Sequence, residues 1–234
     1  TGVEFIITDD DMAFYNKIGV PEPTLCPDER QRRKYLWRNE RTLYRRICDK
    51  TGESIVSMYA PNNRFPVYSI HEWWGDGWNA SDYAQDIDFS RSFFSQFLEL
   101  QNKVPRLALL SKNSTNSDYS NHTDNSKDAY MCATAFDCEN VLYSSNIIPI
   151  KNSLDCYRSE GTSNENLYEC INIHNAYNSQ FCYKIDSSFD CYYSFDLKNC
   201  SNCFLSYNLR GQSYYFRNKK YSKEEYIDKI SEYN

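Results

Sequence analysis

The second half of this 234-residue chain is a degenerate repeat, which constrains the fold more than any other feature of the sequence. Six-residue units recur there, each ending in a small or aliphatic residue followed by an aromatic one. The pairs are Ala129-Tyr130, Leu142-Tyr143, Cys156-Tyr157, Leu167-Tyr168, Cys182-Tyr183, Cys191-Tyr192 and Cys203-Phe204. Such a repeat is typical of stacked architectures, where each unit buries its apolar face only against its neighbours.

The repeat predicts the fold class and the division of the chain. We expect an α+β N-terminal module over residues 1–110, a right-handed parallel β-solenoid (β-helix) over residues 111–220, and a C-terminal capping helix over residues 221–234. The marked pairs recur about every 12 residues, so two steps per coil give coils of about 24 residues. Several units open with Asn, which tolerates left-handed corners, namely Asn125, Asn152, Asn178 and Asn199.

The last segment has the spacing of a capping box, with Ser222 three positions before Glu225. We expect it to open an amphipathic helix that covers the exposed end of the solenoid. Its inward residues are predicted to be Tyr226, Ile227, Ile230 and Tyr233.

Ten cysteines are present, eight of them between Cys132 and Cys203. Most lie beside the repeat aromatic, where a small apolar side chain suits a stacked interior. We therefore expect reduced, buried thiols and a cytoplasmic protein. One interior column is predicted to hold Cys156, Cys182, Cys191 and Cys203, as well as Leu142 and Leu167.

No apolar stretch approaches about 18 residues, so we expect no membrane partner. The chain begins with Thr1 rather than Met, which leaves open a lost leader and the number of preceding residues.

Residues 1–110 lack the repeat, and their pattern indicates a mixture of helices and strands. We expect a strand at Phe5-Ile6-Ile7 and a short helix after Asp9 that Gly19 ends. A longer helix is predicted from Glu29 to Tyr44, a strand at residues 55–59, and a helix from Arg91 to about Asn102.

Two short segments resemble degenerate zinc knuckles. Cys48-Asp49-Lys50-Thr51-Gly52 has Thr51 where a knuckle carries its second Cys, and Cys26-Pro27 is followed by Glu29 in the corresponding place. Structural zinc is held by four Cys or His ligands, usually in close pairs. Cys26 and Cys48 are therefore only weak metal candidates, and we expect no structural zinc and no other cofactor.

The same region carries a resemblance to a known family. The matching residues are Phe14-Tyr15, Val20-Pro21, Cys26-Pro27, Trp37-Arg38-Asn39-Glu40, Leu43-Tyr44, Cys48-Asp49, Trp73-Trp74, Asp88-Phe89-Ser90-Arg91 and Phe93-Phe94. With them, the chain resembles an uncharacterised family of small-genome uncultivated bacteria that joins an N-terminal zinc-ribbon-like region to a Tyr/Cys/Asn-rich repeat tail. It departs from the zinc-bearing pattern at Glu29 and Thr51. The resemblance implies no activity.

A basic run gives the chain a candidate nucleic-acid surface within the predicted helix 29–46. Its residues are Arg30, Arg32, Arg33, Lys34, Arg38, Arg41, Arg45 and Arg46. Such a helix can contact phosphates. A solvated helix face is favoured instead, because the whole chain has a net charge of −6.

Aromatic residues cluster around Trp73, Trp74 and Trp78, where packing between the N-terminal module and the solenoid is favoured over a ligand platform. Asp76, Asp82, Asp86 and Asp88 lie nearby in the sequence and suggest sugar chemistry by paired carboxylates. Helix caps and acidic loops explain them better.

These observations favour a non-enzymatic binding or scaffold protein that presents a solenoid surface to an unknown protein or polymer partner. The first alternative is a nucleic-acid-binding protein that binds weakly through the basic helix, and the second is a carbohydrate-active β-solenoid enzyme. We assign no catalytic residue. The sequence determines neither the ligand nor the oligomeric state.

Overall fold

The structure is a computed structural model that describes residues 2–232, and it divides into two compact units, 1–39 and 40–234. The first unit contains α1 (Asp9–Ile18) and α2 (Pro27–Tyr35). Thr8 caps α1 through a capping box with Asp11, and Gly19 ends it with a left-handed φ of 69°. Residues 5–7 form no strand, so that prediction is wrong: the described part of this unit offers no neighbouring strand with which they could pair.

The second unit opens with a small α/β segment. It comprises β1 (Tyr44–Ile47), β2 (Ser54–Ser57), β3 (Val67–Tyr68), α3 (Ile70–Trp74), a 3-10 helix (Ala80–Tyr83), α4 (Phe93–Lys103) and β4 (Arg106–Leu107). Strands β1 and β2 are antiparallel, and β3 and β4 are parallel. The predicted helix from Glu29 to Tyr44 is wrong beyond Tyr35, because Tyr44 begins strand β1 and pairs with Ser57.

A parallel β-solenoid follows, as the repeat predicts. Its strands are β5 (Ser111–Lys112), β6 (Asn121–Asp124), β7 (Lys127–Tyr130), β8 (Ala133–Phe136), β9 (Glu139–Leu142), β10 (Ser145–Ile147), β11 (Lys151–Leu154), β12 (Tyr157–Glu160), β13 (Glu165–Tyr168), β14 (Ile171–His174), β15 (Tyr177–Gln180), β16 (Tyr183–Asp186), β17 (Phe189–Tyr192), β18 (Phe195–Lys198), β19 (Ser201–Phe204) and β20 (Ser213–Phe216). From β6 to β19 they alternate between two sheets, and each strand pairs with the next but one.

A regular coil spans 12 residues. This is the separation between Ser144 and Cys156, and the Cys156 N–H donates to Ser144 Oγ of the preceding coil. Strand pairs such as Ala133 with Ser145 and Tyr183 with Phe195 have the same step. The expected coil of about 24 residues is therefore wrong by a factor of two. Each six-residue unit supplies one complete strand with its connection, so two units already close the coil.

The coil is this short because the backbone turns at every third residue. From His122 onwards, non-glycine residues with φ between 46° and 61° recur at this spacing, and more than half of them are Asn or Asp. Asn and Asp tolerate this conformation best among residues with a side chain. The predicted corner residues Asn125, Asn152, Asn178 and Asn199 all have positive φ, which confirms that prediction.

From His122 to Leu205, the residue after each non-glycine left-handed position is buried, so the interior consists of columns of small side chains that repeat from coil to coil. One column holds Ser120, Cys132, Ser144, Cys156, Cys170, Cys182, Ser194 and Ser206, and a second holds Ala129, Val141, Ser153, Leu167, Ser179, Cys191 and Cys203. A third holds Thr123, Ala135, Ile147, Ser159, Ile173, Ile185 and Leu197, and a fourth holds Ser126, Cys138, Ile150, Asn164, Ala176, Ser188 and Cys200.

The prediction of a single cysteine column is wrong, because the four cysteines divide between the first two columns. The interior position predicted for Leu142 is also wrong by one residue: Val141 is fully buried, whereas Leu142 lies in the outer position next to it. In an ordinary strand the side chains alternate with period two, but a left-handed residue inside each strand changes this period to three.

Serine and cysteine suit these columns because they satisfy buried backbone groups. Ser144 Oγ donates to the Leu142 carbonyl oxygen at 2.9 Å and accepts from the Cys156 N–H at 2.9 Å. Cys132 Sγ donates to the carbonyl oxygens of Tyr130 and Val141 at 3.5 and 3.3 Å. Buried polar groups are costly unless they are paired, so these contacts explain why polar side chains occur in the core.

All ten cysteines are buried and unbridged in the structure. Burial raises the pKa of the Cys138 and Cys156 thiols to about 12. At pH 8 such a thiol is only about one part in ten thousand thiolate, the reactive form. We expect Cys138 and Cys156 to resist alkylation in the native protein, and all ten thiols to react after denaturation without reductant. Two or fewer reactive thiols in the denatured protein would contradict the structure.

The solenoid is covered at its C-terminal end by β21 (Lys219–Lys220), antiparallel to β20, and by α5 (Lys223–Ser231). The predicted capping box between Ser222 and Glu225 is confirmed. Tyr226 is buried and contacts the Tyr214 ring at 5.8 Å. Ile227 is exposed, so its inward assignment is wrong, and Tyr233 lies outside the described residues.

At the other end, the first coils pack on the α/β segment. Asn121 is buried, and its Oδ1 accepts from the Leu110 N–H at 2.9 Å. Its Nδ2 donates to the Glu40 carbonyl oxygen at 3.3 Å and lies 3.7 Å from Met58 Sδ of the α/β segment. Among the described residues, no helix is both long and apolar enough to span a bilayer.

Candidate functional site

One coil departs from the regular period and creates a groove on the solenoid. The Leu167 N–H donates to Ser153 Oγ of the preceding coil across a separation of 14 residues instead of 12. The strand pairs Lys151 with Glu165 and Leu154 with Tyr168 have the same longer step. The two additional residues lie in the connection between β12 and β13. Insertions in repeat proteins map to loops on one face, which is often the binding face. This connection is therefore a candidate binding site.

Asn164 anchors the insertion from inside the solenoid. Its side chain is 2% exposed, and its Nδ2 donates to the carbonyl oxygens of Pro149 and Glu160 at 3.0 and 2.9 Å. Its Oδ1 accepts from the Ala176 N–H at 3.0 Å. One amide therefore satisfies three backbone groups that the longer connection would otherwise leave unpaired.

Asn175 holds the insertion from outside. Its Oδ1 accepts from the N–H groups of Thr162 and Ser163 at 2.8 and 3.3 Å. Gly161 has a φ of 104°, and a Cβ atom there would lie 2.5 Å from the same Oδ1. Only glycine fits this close approach, so the loop has a defined conformation.

The groove beside this loop has a volume of about 460 Å³ and crosses four coils. It is lined by Pro149, Ile150, Lys151, Thr162, Ser163, Asn164, Glu165, Asn175, Tyr177, Ser187, Ser188 and Phe189. Its volume is within the range of small-molecule sites, about 300–1,000 Å³. Two aromatic rings and several neutral polar groups dominate its surface.

Each charged side chain of the groove lining has a hydrogen-bond partner. Lys151 Nζ lies 3.0 Å from Glu139 Oε2, and this hydrogen bond lowers the pKa of Glu139 and raises the pKa of Lys151. Glu165 Oε1 accepts from Asn152 Nδ2 at 3.1 Å. The lining therefore has one basic and one acidic residue, and it carries little net charge.

The outer face of the other sheet carries a column of stacked rings. Tyr183 and Phe195 stack at 4.8 Å between ring centroids, and Phe195 and Tyr207 stack at the same distance. Beside this column, His174 Nδ1 lies 2.8 Å from Asp186 Oδ1, and Lys198 Nζ lies 2.9 Å from Asp186 Oδ2. Hydrogen bonds from Lys198, and then from His174, hold the pKa of Asp186 at about 2.

The predicted basic residues do not form one helix. Arg30, Arg32, Arg33 and Lys34 lie on α2, Arg38 follows α2 in the first unit, and Arg41, Arg45 and Arg46 belong to the second unit, the last two on β1. Arg32 pairs with Glu29 at 2.7 Å, and the buried Arg46 pairs with Asp49 at 2.8 Å. These two arginines are already paired with carboxylates.

We expect nucleic-acid binding by these residues to be weak and strongly dependent on salt. If several phosphate contacts form, affinity falls by orders of magnitude between low and physiological salt. Fluorescence anisotropy with a labelled duplex, repeated on a variant in which Arg32, Arg33 and Arg45 are all replaced by Glu, measures this. Tight binding that ignores salt, or binding unchanged in the variant, would contradict an electrostatic contact.

Cys48 lies in a tight turn of the α/β segment. The Gly52 N–H donates to the Cys48 carbonyl oxygen at 2.9 Å, and the Ser69 N–H donates to Cys48 Sγ at 3.3 Å. Burial opposes the thiolate, but hydrogen bonds from Thr51 and Ser69 lower the pKa of Cys48 below its usual value. After Cys26, Glu29 occupies the position of the second knuckle cysteine, and its carboxylate forms an ion pair with Arg32.

Between Gly2 and Glu232, no three His, Cys, Asp or Glu side chains are grouped as metal ligands. The absence of structural zinc remains a prediction, and elemental analysis of the purified protein tests it. One tightly held zinc ion per chain would contradict it.

The tryptophans pack where the α/β segment meets the solenoid. The rings of Trp73 and Trp74 are 4.8 Å apart, and Trp73 and Trp78 are 5.5 Å apart. Trp74 Nε1 donates to the carbonyl oxygen of Ser111, in the first solenoid strand, at 3.3 Å. The packing prediction is confirmed for Trp74, whereas Trp73 and Trp78 contact other aromatic residues of the α/β segment. Asp88 accepts from the N–H and hydroxyl of Ser90, as a local turn residue does.

Sequence reasoning missed the groove and the contact between His174 and Asp186. Spacing alone could have indicated both. His174 and Asp186 are 12 residues apart, which is one regular coil, whereas Ser153 and Leu167 are 14 residues apart, which is one coil with the insertion. Both the insertion and the contact between His174 and Asp186 can be recognised in the sequence only when the coil length of 12 residues is known.

Comparisons of the chain with protein families, curated proteins and solved structures find no match.

Proposed function

We propose that this protein is a non-enzymatic binding or scaffold protein, and that the groove beside the longer coil is its ligand site. The observation that carries this proposal is the insertion itself, which Asn164 and Asn175 hold in one conformation through six hydrogen bonds. A site whose groups are held in place before binding loses less conformational entropy when a ligand arrives.

The lining favours binding over catalysis. Glu165 is the one carboxylate among the lining residues, all of which are described, and none of them is His or Cys. Hydrolysis of a glycosidic bond uses two carboxyl groups, and most general acid–base chemistry uses His or a perturbed acid. This supports a binding role for the groove.

The resemblance to the zinc-ribbon-like bacterial family and a reducing, cytoplasmic location remain part of the proposal. Ten buried thiols without a disulfide support the location, because disulfides are rare where thiols are kept reduced.

A fragment screen followed by amide NMR tests whether the groove is a ligand site. The ¹⁵N-labelled protein is titrated with a chemically diverse set of neutral, cationic and anionic fragments. We expect the shift changes to concentrate on the amides of Thr162, Ser163 and Asn175, because small ligands collect where a concave site offers both apolar and polar groups.

Two glycine variants provide a matched control. Gly161→Ala places a Cβ against Asn175, whereas Gly211→Ala meets nothing within 4 Å. We expect the first to lose the groove signals and the second to retain them, with the rest of the spectrum preserved in both. Fragments that collect elsewhere on the surface, or that bind equally well to Gly161→Ala, would contradict the proposed site.

A further inference from the structure

The groove combines aromatic faces with neutral hydrogen-bonding groups. Tyr177 and Phe189 occupy the same position in successive coils, and each is nearly half exposed. In the preceding coils the same position holds charged residues, and the rings begin after the insertion. Adjacent parallel strands are about 4.8 Å apart, so the two side chains are neighbours on the lining, and we refer to this pair of rings as the platform.

Polar groups lie beside this platform. Thr162 and Ser163 carry hydroxyl groups on the loop, and Ser187 and Asn175 belong to the same lining. Within the described chain, neither the Ser163 hydroxyl nor the Tyr177 phenol has a hydrogen-bond partner. These two groups are therefore available to a ligand without breaking an internal contact.

Two other ligand classes fit this surface less well. An extended peptide binds a sheet by pairing with an exposed edge, but β11, β13, β15 and β17 are internal strands with neighbours on both sides. A charged polymer needs a surface of opposite charge, whereas the lining has only Lys151 and Glu165, which offset each other.

A saccharide has the complementary chemistry. The C–H faces of its rings are apolar and pack on aromatic faces, while its hydroxyl groups exchange hydrogen bonds with hydroxyl and amide side chains. We propose that the groove binds a neutral oligosaccharide, with a sugar ring on Tyr177 and Phe189 and its hydroxyl groups toward Ser163 and Thr162. This inference rests on the proposed function and adds the class of ligand.

Titration with neutral trisaccharides tests the inference. Cellotriose, chitotriose, maltotriose and mannotriose are added separately to the ¹⁵N-labelled protein, up to about 10 mM, where sites with a Kd near 1 mM approach saturation. We expect at least one to give saturable shifts at Thr162, Ser163 and Asn175. Trigalacturonate, which is anionic, and a neutral hexapeptide serve as probes of the other two classes.

Three variants locate the platform. Tyr177→Ala and Phe189→Ala should each weaken trisaccharide binding by up to about tenfold, the value of one lost ring contact. Tyr207→Ala removes a similarly exposed ring from the outer column of the other sheet and should leave affinity unchanged. Each variant is first checked for an unchanged melting temperature.

The inference is overturned if no trisaccharide shifts the groove amides, or if the hexapeptide or trigalacturonate binds there more tightly. It is also overturned if Tyr207→Ala weakens trisaccharide binding while Tyr177→Ala does not. If fragments still collect in the groove when every trisaccharide fails, only the saccharide assignment is wrong and the proposed site stands. If neither binds there, both proposals fail.

Discussion

Replacing Cys182 by Asp should prevent the solenoid from folding. Cys182 is 2% exposed, and its Sγ donates to the carbonyl oxygens of Gln180 and Cys191 at 3.2 and 3.3 Å. A carboxylate has no proton to donate and would face two acceptors in the core. Burying an unpaired charge costs several kcal/mol or more, comparable with the roughly 5–15 kcal/mol that stabilises a typical protein.

Cys182→Ser is the matched control, because the same column already contains four serines. Ser206 Oγ, for example, donates to the Phe204 carbonyl oxygen at 3.0 Å. We expect Cys182→Ser to fold and to lose at most about 1–2 kcal/mol of the free energy of unfolding. Circular dichroism, size-exclusion chromatography and thermal melting distinguish the two variants. A soluble Asp variant that melts like the parent protein would show that this column is not interior.

Replacing Asn164 by Leu should give the second largest effect. The change leaves the carbonyl oxygens of Pro149 and Glu160 and the N–H of Ala176 without their side-chain partner. The Ala176 N–H is buried and the two carbonyl groups are partly buried. An unsatisfied buried group costs about 1–3 kcal/mol, so we expect a loss of about 2 kcal/mol or more in the free energy of unfolding. The insertion should lose its fixed conformation as well.

Ser163→Ala, on the exposed part of the same loop, should change the stability by less than about 0.5 kcal/mol. Urea unfolding followed by circular dichroism measures both variants. A loss below about 1 kcal/mol for Asn164→Leu would mean that water or a neighbouring group replaces the amide, and that Asn164 does not hold the loop.

Short-range signals in the sequence predicted local structure correctly. The capping box of Ser222 and Glu225 and the termination of α1 at Gly19 depend on contacts within a few residues. The left-handed Asn positions depend on the side chain of a single residue. The repeat also predicted a parallel solenoid, because units that bury themselves only against copies of one another must stack.

The basic helix was predicted incorrectly because strand pairing with a distant part of the chain overrides the local helix propensity. Residues 36–46 contain good helix formers, and propensity alone extends α2 through them. In the structure, Arg45 and Arg46 pair instead with Val56 and Ile55 across the β1–β2 hairpin. This pairing depends on a strand that lies beyond the next turn of the chain, and helix propensity contains no information about it.

Composition, repetition and local hydrogen bonds were enough to specify the class of architecture, the buried and unbridged cysteines and the caps of the helices. The coil length, the membership of the interior columns and the groove became visible only in the folded chain. Stacking fixes which residues are neighbours, and the left-handed residue in each strand changes which side chains point inward. A two-residue insertion is inconspicuous in a degenerate repeat, yet once the coils stack it must project from the surface, where Asn164 and Asn175 hold it.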